Sequence, residues 1–398
     1  MNALNVAVLF GGRSCEHDVS IISGMQAAQA CEKAGYGVVR VYIDREGRWQ
    51  AGEALKDMAF YREYDPEKTC RVLPLEEKGK LLLAKYPSRK KSLLGAGLVE
   101  VALCDVAFPV MHGMHGEDGT LQGLLEMLNV PYTSAGVLGS AVGMDKIAMK
   151  MLFTGCGFPV LPSLWVERDE WEEDQAAVLQ KLEETLPYPM YVKPANLGSS
   201  IGINRADDRE KLIHALNVAA SYDRRILVER GAKDFKEVNC AVLGYAGDVK
   251  ASILEMPAHW DEMLTFEGKY LQQGKGSGKA GMAALARQIP APIPEELTER
   301  IRDLSCKVFR AMDLKGVVRI DYILEGDQLF LNEVNTIPGS LAFYLWEPVG
   351  ISFAKLMEIM VEKAFVAYAD KQRNVFSFDS NILQAQLKGS KGAKGAKV

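Results

Sequence analysis

The 398-residue chain carries a net charge of -5, with 48% hydrophobic and 25% charged residues, values of a soluble globular protein long enough for two or three cores. So mild an acidity gives nucleic acid or an anionic membrane no electrostatic footing as a partner. No apolar run approaches the roughly 20 residues of a membrane helix, and the opening Met1-Asn-Ala-Leu-Asn-Val-Ala-Val-Leu-Phe10 lacks the basic region of a signal peptide.

Seven scattered cysteines form no Cys-x-x-Cys pair, which argues for reduced thiols and a cytoplasmic enzyme. The apolar run Val6–Phe10, helical periodicity over Val19–Ala34, and a second run at Val38–Ile43 predict a βαβ unit with parallel strands. Residues 52–100 are charged and weakly periodic and read as helices with a surface insertion. Strand signals resume at Val99–Val110. A helix at Thr120–Leu128 and a turn at Val130–Ala135 close a first domain, residues 1–135.

A second domain, 136–229, opens with a helix at Val142–Phe153, ended by Gly155 and Gly157. Strands near Ser163–Val166 and Met190–Lys193 flank a charged helix at Arg168–Thr185, another strand precedes Gly198, and Arg225–Glu229 leaves the domain. A third domain, 230–387, begins with strands at Glu237–Leu243 and Val249–Met256. A Gly/Lys-rich loop at Gly274–Gly281, a helix at Glu295–Met312, two strands and a final amphipathic helix follow. The Lys/Gly-rich tail, 388–398, reads as disordered.

The two late strands carry the chemistry. Gly316–Leu324 and Gln328–Asn335, joined by three residues with a glycine, predict a hairpin. If Leu324 faces Gln328, Arg319 faces Glu333 and Asp321 faces Leu331. Alternation then puts Arg319, Asp321, Glu333 and Asn335 on one face, and Val318, Ile320, Tyr322, Asn332 and Val334 on the other. Hard oxygens of Asp321, Glu333 and Asn335 suit Mg²⁺ with room left for phosphate and water. Arg319 beside them suits developing negative charge. The plainer alternative is a hairpin with one solvated face. The sharp turn Thr336-Ile-Pro-Gly339 directly beyond the charges favours a site.

A magnesium site of this kind needs a nucleotide, and the chain has no P-loop. Lys193 ends an apolar strand before Pro194, and Lys146 begins a helix after Gly143-Met-Asp145. The loop Asn196-Leu-Gly-Ser-Ser-Ile-Gly202 offers backbone N–H groups and hydroxyls that can close over phosphates. The same loop spells Gly-x-Ser-x-Gly with Ser200 as a candidate hydrolase nucleophile. Such an elbow opens into a helix, whereas Ile201–Asn204 reads as extended, and His214 and His259 lack a partner Asp in the expected order.

Read together, these segments resemble the D-alanine:D-alanine ligase family of the ATP-grasp superfamily. The resemblance runs through Leu9-Phe-Gly-Gly-Arg-Ser-Cys-Glu-His-Asp-Val-Ser20, His112-Gly-x-x-Gly-Glu-Asp-Gly-Thr-Leu-Gln-Gly123, Met144-Asp-Lys146, Val192-Lys-Pro194 and Gly198-Ser-Ser-Ile-Gly202. It continues through Leu227-Val-Glu229, Glu267-Gly-Lys-Tyr270, Arg319-Ile-Asp321 and Asn332-Glu-Val-Asn-Thr-Ile-Pro-Gly339. It implies an α/β fold of three domains: an N-terminal, Rossmann-like parallel-sheet domain, and two α+β domains that sandwich ATP. By resemblance Lys146 and Lys193 contact ATP phosphates, with Ser200 and Lys269 in the same nucleotide site. Glu229 holds adenine and Glu237 ribose, and Asp321, Glu333 and Asn335 bind two Mg²⁺, with Mn²⁺ able to substitute. Glu16 receives the first amino acid's ammonium and, with Ser199 and Tyr270, anchors the loop and the second substrate. His112 lies by the first carboxylate, and Arg319 with the Gly339 N–H forms an oxyanion hole.

The implied reaction is ATP-dependent joining of two D-alanines through D-alanyl phosphate, for peptidoglycan precursor synthesis, by a cytoplasmic homodimer. The segment around Glu267–Gly281 would close as a lid over the intermediate. One departure concerns the acceptor: Ser340-Leu-Ala-Phe-Tyr-Leu-Trp-Glu347 differs from the family's usual stretch, leaving D-serine, D-lactate or another amino acid as alternatives. The loop Gln272–Arg287 is also longer and more basic than the family's. A non-catalytic nucleotide sensor on the same fold is the remaining reading.

Overall fold

The βαβ unit forms as the sequence predicts. β1 (Asn5–Gly11) and β2 (Gly37–Ile43) pair in parallel, joined by α1 (His17–Lys33). The structure, a computed structural model, describes residues 4–87, 91–92, 95–96, 98–257 and 287–377. The expected lid segment with Lys269 and Tyr270, and the Lys/Gly-rich tail, lie outside the described residues.

Residues 52–100 differ from the helical reading. They hold three short 3₁₀ turns, between Glu53 and Lys68, and a set of strands. β3 (Trp49–Ala51), β4 (Cys70–Glu77) and β5 (Lys80–Lys85) extend the first sheet antiparallel, with a small ribbon of β6 (Lys91–Ser92) and β7 (Gly95–Ala96) beside them. β8 (Glu100–Cys104) and β9 (Val106–Pro109) split the single predicted strand. They sit at opposite edges of the seven-stranded sheet, in the order β8-β5-β4-β3-β2-β1-β9. Only Asp105 separates them, so the sheet must curl until its edges meet there. Asp105 ties that seam by pairing with Lys80 and accepting from the Asn5 N–H.

After α2 (Thr120–Met127), the predicted single helix is two, α3 (Val137–Met144) and α4 (Lys146–Gly155). Asp145 between them is extended, and its carboxylate accepts from the Ile147 and Ala148 N–H groups, which makes it the cap of α4. A four-stranded sheet follows in the order β10 (Ser163–Glu167), β13 (Arg225–Arg230), β11 (Met190–Pro194), β12 (Asn204–Ala206). It is covered by α5 (Arg168–Glu173), α6 (Gln175–Thr185) and α7 (Arg209–Tyr222). No further strand precedes Gly198: the loop from Ala195 to Ile203 joins β11 directly to β12, which lies after it.

The third sheet runs β16 (Arg287–Gln288), β15 (Asp248–Pro257), β14 (Lys236–Tyr245), β17 (Lys315–Glu325), β18 (Gln328–Asn335). α8 (Glu295–Ala311) covers one face through Ile301, Val308 and Phe309. α9 (Phe353–Lys371) buries Leu356, Met360, Val361 and Ala364 in a core it shares with α1, β1 and the start of β17. The predicted apolar stripe of the last helix therefore ties the first sheet to the third. Among the described residues, no helix is long and apolar enough to cross a membrane.

Candidate active site

The hairpin of β17 and β18 differs from its predicted register in two places, each by one residue in the same direction, so that facing is preserved. The turn has two residues, Gly326-Asp327, so that Glu325 faces Gln328 and Leu324 faces Leu329. The register then shifts again: Tyr322 pairs with Leu331 and Asp321 with Glu333, leaving Asn332 as the extra residue of a bulge. Beyond it Arg319 faces Asn335. Paired residues of an antiparallel ladder point the same way, so the four polar side chains share a face, as alternation predicts, with partners moved along by two.

That face is wider than the hairpin. Asn239 of β14 pairs with both Asp321 and Glu255, so Glu255, Asn239, Asp321 and Glu333 form a polar row across four strands. Glu255, Asn239 and Asp321 are buried. The Arg319 fork donates to both Asp321 oxygens at 2.7 and 2.8 Å, and Asn335 Nδ2 donates to Asp321 Oδ2 at 3.0 Å. Burial pushes the Asp321 carboxyl up; Arg319 opposes this, and Glu333 and Glu255 push it further up. Despite burial, Asp321 keeps the Arg319 guanidinium well above its ordinary range. Glu255 is held in turn by Arg287 at 3.0 Å, the Tyr344 hydroxyl at 2.9 Å and Asn239 at 3.2 Å. Glu237 lies on the same face of β14 as Asn239.

This row suits a hard divalent cation. Among the described residues, no three His, Cys, Asp or Glu side chains converge as a self-sufficient metal centre, so any ion here takes further oxygens from a ligand, as Mg²⁺ does from phosphates. Asp321 Oδ1 keeps a lone pair beyond the one facing Arg319, whereas Oδ2 accepts from both Arg319 and Asn335. Asn239 Oδ1 is buried with no hydrogen-bond partner among the described residues. The crowding of Asp321 by Glu333 and Glu255 is what a bound cation would relieve. The donor set fits.

Opposite charge gathers at the second sheet. Lys146 and Lys150, one turn apart on α4, and Lys193 of β11 surround Glu229 of β13, which is 1% exposed. Lys150 and Lys193 both pair with Glu229. Burial would raise the Glu229 carboxyl, but the two lysines hold it at about 2. Three cations against one anion leave a net positive cradle suited to a polyphosphate. Burial lowers Lys146 and Lys150, whereas Glu229 outweighs burial at Lys193 and raises it. Lys146 Nζ also donates to the Leu197 carbonyl, which fixes the start of the 196–202 loop. Sequence reasoning missed Lys150, although its spacing of four from Lys146 on a helix was the available signal.

A third group joins the first sheet to that loop. Ser199 Oγ donates to Glu16, 183 residues away. The Glu16 carboxylate is walled by glycines: a Cβ at Gly113 or Gly198 would stand 2.6 or 2.7 Å from Glu16 Oε2. Glu117, also missed, accepts from the Gly113 N–H at 2.7 Å and the Ile337 N–H at 3.0 Å. Burial and the nearby Glu16 push its carboxyl up to about 8. Lys146 feels both Glu333 and Glu16, and Glu117 feels Glu16 and Glu333. The three groups therefore lie within electrostatic reach of one another.

His112 is 4% exposed, its Nε2 2.9 Å from Ser23 Oγ. Burial lowers it to about 4, leaving a neutral ring. Ser23 Oγ also accepts from the Ser340 N–H, and Ser340 Oγ donates to Gln26 at 2.8 Å. Gly339 opens a buried turn in which Ser340, Leu341 and Ala342 all have φ near +50°, a conformation costing about 1–2 kcal/mol per residue. This turn docks the divergent segment onto α1. Ser200 sits in the β11–β12 loop with φ of 59° and a strand, not a helix, after it. His214 is exposed on α7, and His259 lies outside the described residues. The nucleophile elbow is absent.

Known proteins resemble this chain over nearly its whole length. Residues 5–135 match the model of the D-ala D-ala ligase N-terminus, and residues 152–362 that of its C-terminus. A D-alanine--D-alanine ligase of Thermosipho africanus is 35% identical, over 96% of this chain and 99% of the relative. That of Heliobacterium modesticaldum is 38% identical, over 93% and 96%. Among solved structures, the D-alanine-D-alanine ligase of Coxiella burnetii matches with a TM-score of 0.76 at 24% identity, over 98% of this chain and 100% of that one, a likeness of fold. The VanG D-Ala:D-Ser ligase of Enterococcus faecalis matches at 0.72 and 26%, over 91% and 100%. With both halves matched and relatives aligned nearly end to end, the chain belongs to the D-alanine--D-alanine ligase family.

Proposed function

We propose that this chain, an ATP-dependent carboxylate–amine ligase by family, joins two D-alanines through an acyl phosphate for peptidoglycan precursor synthesis. The observation that carries the mechanism is the face on which Arg319, Asp321, Glu333 and Asn335 meet opposite the Lys146–Lys150–Lys193 cradle. Division into residues 1–135, 136–229 and 230–387, with ATP between the second and third, suits that arrangement. A homodimer working in the cytoplasm is proposed on the family resemblance alone.

Lys146, Lys150 and Lys193 are assigned to the ATP phosphates. Glu229 keeps two of those lysines in place and, with the backbone after it, meets adenine, while Glu237 takes the ribose. Ser200 and the outlying Lys269 close the nucleotide site. Asp321, Glu333 and Asn335 would hold two Mg²⁺, or Mn²⁺, which supply charge compensation to the transferring phosphoryl group. Glu16, fixed by Ser199, receives the ammonium of the first D-alanine, and neutral His112 lies by its carboxylate. That carboxylate attacks the γ-phosphate, converting a hopeless leaving group into phosphate. The amine of the second D-alanine then attacks, and the oxyanion faces Arg319 and the Gly339 N–H. Tyr270 belongs with Glu16 and Ser199 in anchoring the loop.

The test is phosphate release from ATP and Mg²⁺ with D-alanine alone, then with D-serine or D-lactate added. D-Alanine alone suffices under this reading. Release only with another acceptor would reassign the second substrate, and release with none would leave a sensor.

A further inference from the structure

We propose that a cavity away from the candidate active site binds a small organic carboxylate. The Lys315 ammonium would hold the anion, and Tyr132, Tyr245 and Tyr368 would enclose its apolar body. The cavity measures about 200 Å³ and none of its lining residues belongs to the charged face. Its walls come from the end of α2 and the strand-like turn after it, from the facing ends of β14 and β17, and from α9.

Lys315 is 8% exposed, and its Nζ stands 3.6 Å from the centre of the Tyr132 ring. Among the described residues no carboxylate or carbonyl accepts a hydrogen bond from it. Asp313 acts on it only at a distance. The other wall charges are spent: Glu126 pairs with Lys371 and accepts from the Tyr132 hydroxyl at 2.7 Å. A ring face offsets part of the desolvation of a cation, but it satisfies none of the three N–H donors. A buried ammonium left so is costly, and burial accordingly lowers Lys315 to about 7. An anion entering the cavity supplies both the missing charge and the acceptor. Lys371, the other cation of the wall, pairs with Glu126, so the one unpaired ammonium suits a monoanion better than a phosphate dianion, and the phenol and alanine walls suit a compact apolar body.

The groups facing Lys315 are Asp313, Glu126, Lys371 and the phenols of Tyr132, Tyr245 and Tyr368. Burial brings Lys315 to about 7, so binding should weaken about tenfold from pH 6 to pH 8 as the ammonium loses its proton. The experiment is calorimetric titration of the full chain with benzoate, benzamide and inorganic phosphate, using wild type and Lys315→Met. The expected result is saturable benzoate binding that weakens with pH, no benzamide binding, and at least tenfold loss in a Lys315→Met protein of unchanged ligase activity. Equal binding of benzamide, benzoate binding unaffected by Lys315→Met, phosphate binding in place of benzoate, or no saturable binding would each overturn the proposal. Should Lys315→Met fail to fold, the wild-type pH dependence and the benzamide comparison decide it.

Discussion

Asp321 and Glu333 occupy directly paired positions of β17 and β18, and each burdens the other with like charge. Such a pair is unfavourable in the bare protein and becomes useful once cations and phosphate arrive.

Glu333→Gln removes one carboxylate at constant volume. We expect D-alanine-dependent ADP formation to fall at least about 100-fold, with the thermal midpoint unchanged or slightly raised because Asp321 loses a repulsive neighbour. Steady-state ADP assay and calorimetry check both halves. Retained ADP formation would remove Glu333 from the chemistry.

Lys150→Met leaves the buried Glu229 with one direct cation in place of two. Breaking a buried ion pair costs about 3–5 kcal/mol, so the midpoint should drop. If the cradle receives ATP, its KM should rise about tenfold or more, with a smaller effect on D-alanine. A stability loss with unchanged KM for ATP would make Lys150 structural only.

Gly198→Ala should act through Glu16. The new methyl would stand 2.7 Å from Glu16 Oε2, forcing the carboxylate from Ser199 without touching a core. The expected outcome is a D-alanine KM raised about tenfold with stability within about 1 kcal/mol of wild type. An unaltered KM would place the first amino acid elsewhere.

His112 supplies a pH signature. Burial holds it at about 4 against an ordinary 6.5, so the folded state binds this proton less readily than the unfolded chain. Its contribution to stability is present above pH 6.5 and is lost as pH falls toward 4, by up to about 1.4 kcal/mol per unit. His112→Gln should therefore narrow the stability difference between pH 7 and pH 4.5 by on the order of 2 kcal/mol, measured by urea unfolding. An unchanged difference would mean that His112 titrates as an exposed imidazole.

The charged face was legible because side-chain alternation survives errors of register. The assumed three-residue turn misplaced the pairing by one, and the bulge at Asn332 moved it one further, so Arg319, Asp321, Glu333 and Asn335 still share a side. β4 was not legible. It carries Pro74 in a strand with neighbours on both sides and ends in Glu76-Glu77, features that normally argue against an interior strand. The break at Asp145 was visible as a cap signal yet was hidden inside one apolar periodicity. Lys150, Glu117 and Glu255 lay beyond local reasoning because their significance comes from partners on other strands and loops, 79, 220 and 89 residues away for Glu229, Ile337 and Tyr344.

The measurement that bears most directly on the mechanism follows the oxygen atoms. D-Alanine labelled with ¹⁸O in its carboxylate, turned over with ATP and Mg²⁺, should deliver one labelled oxygen to each inorganic phosphate released, because that oxygen attacks the γ-phosphorus and leaves with it. Phosphate carrying no substrate oxygen would mean that no acyl phosphate forms, and the assignment of the Arg319–Asp321–Glu333 face to that step would be wrong.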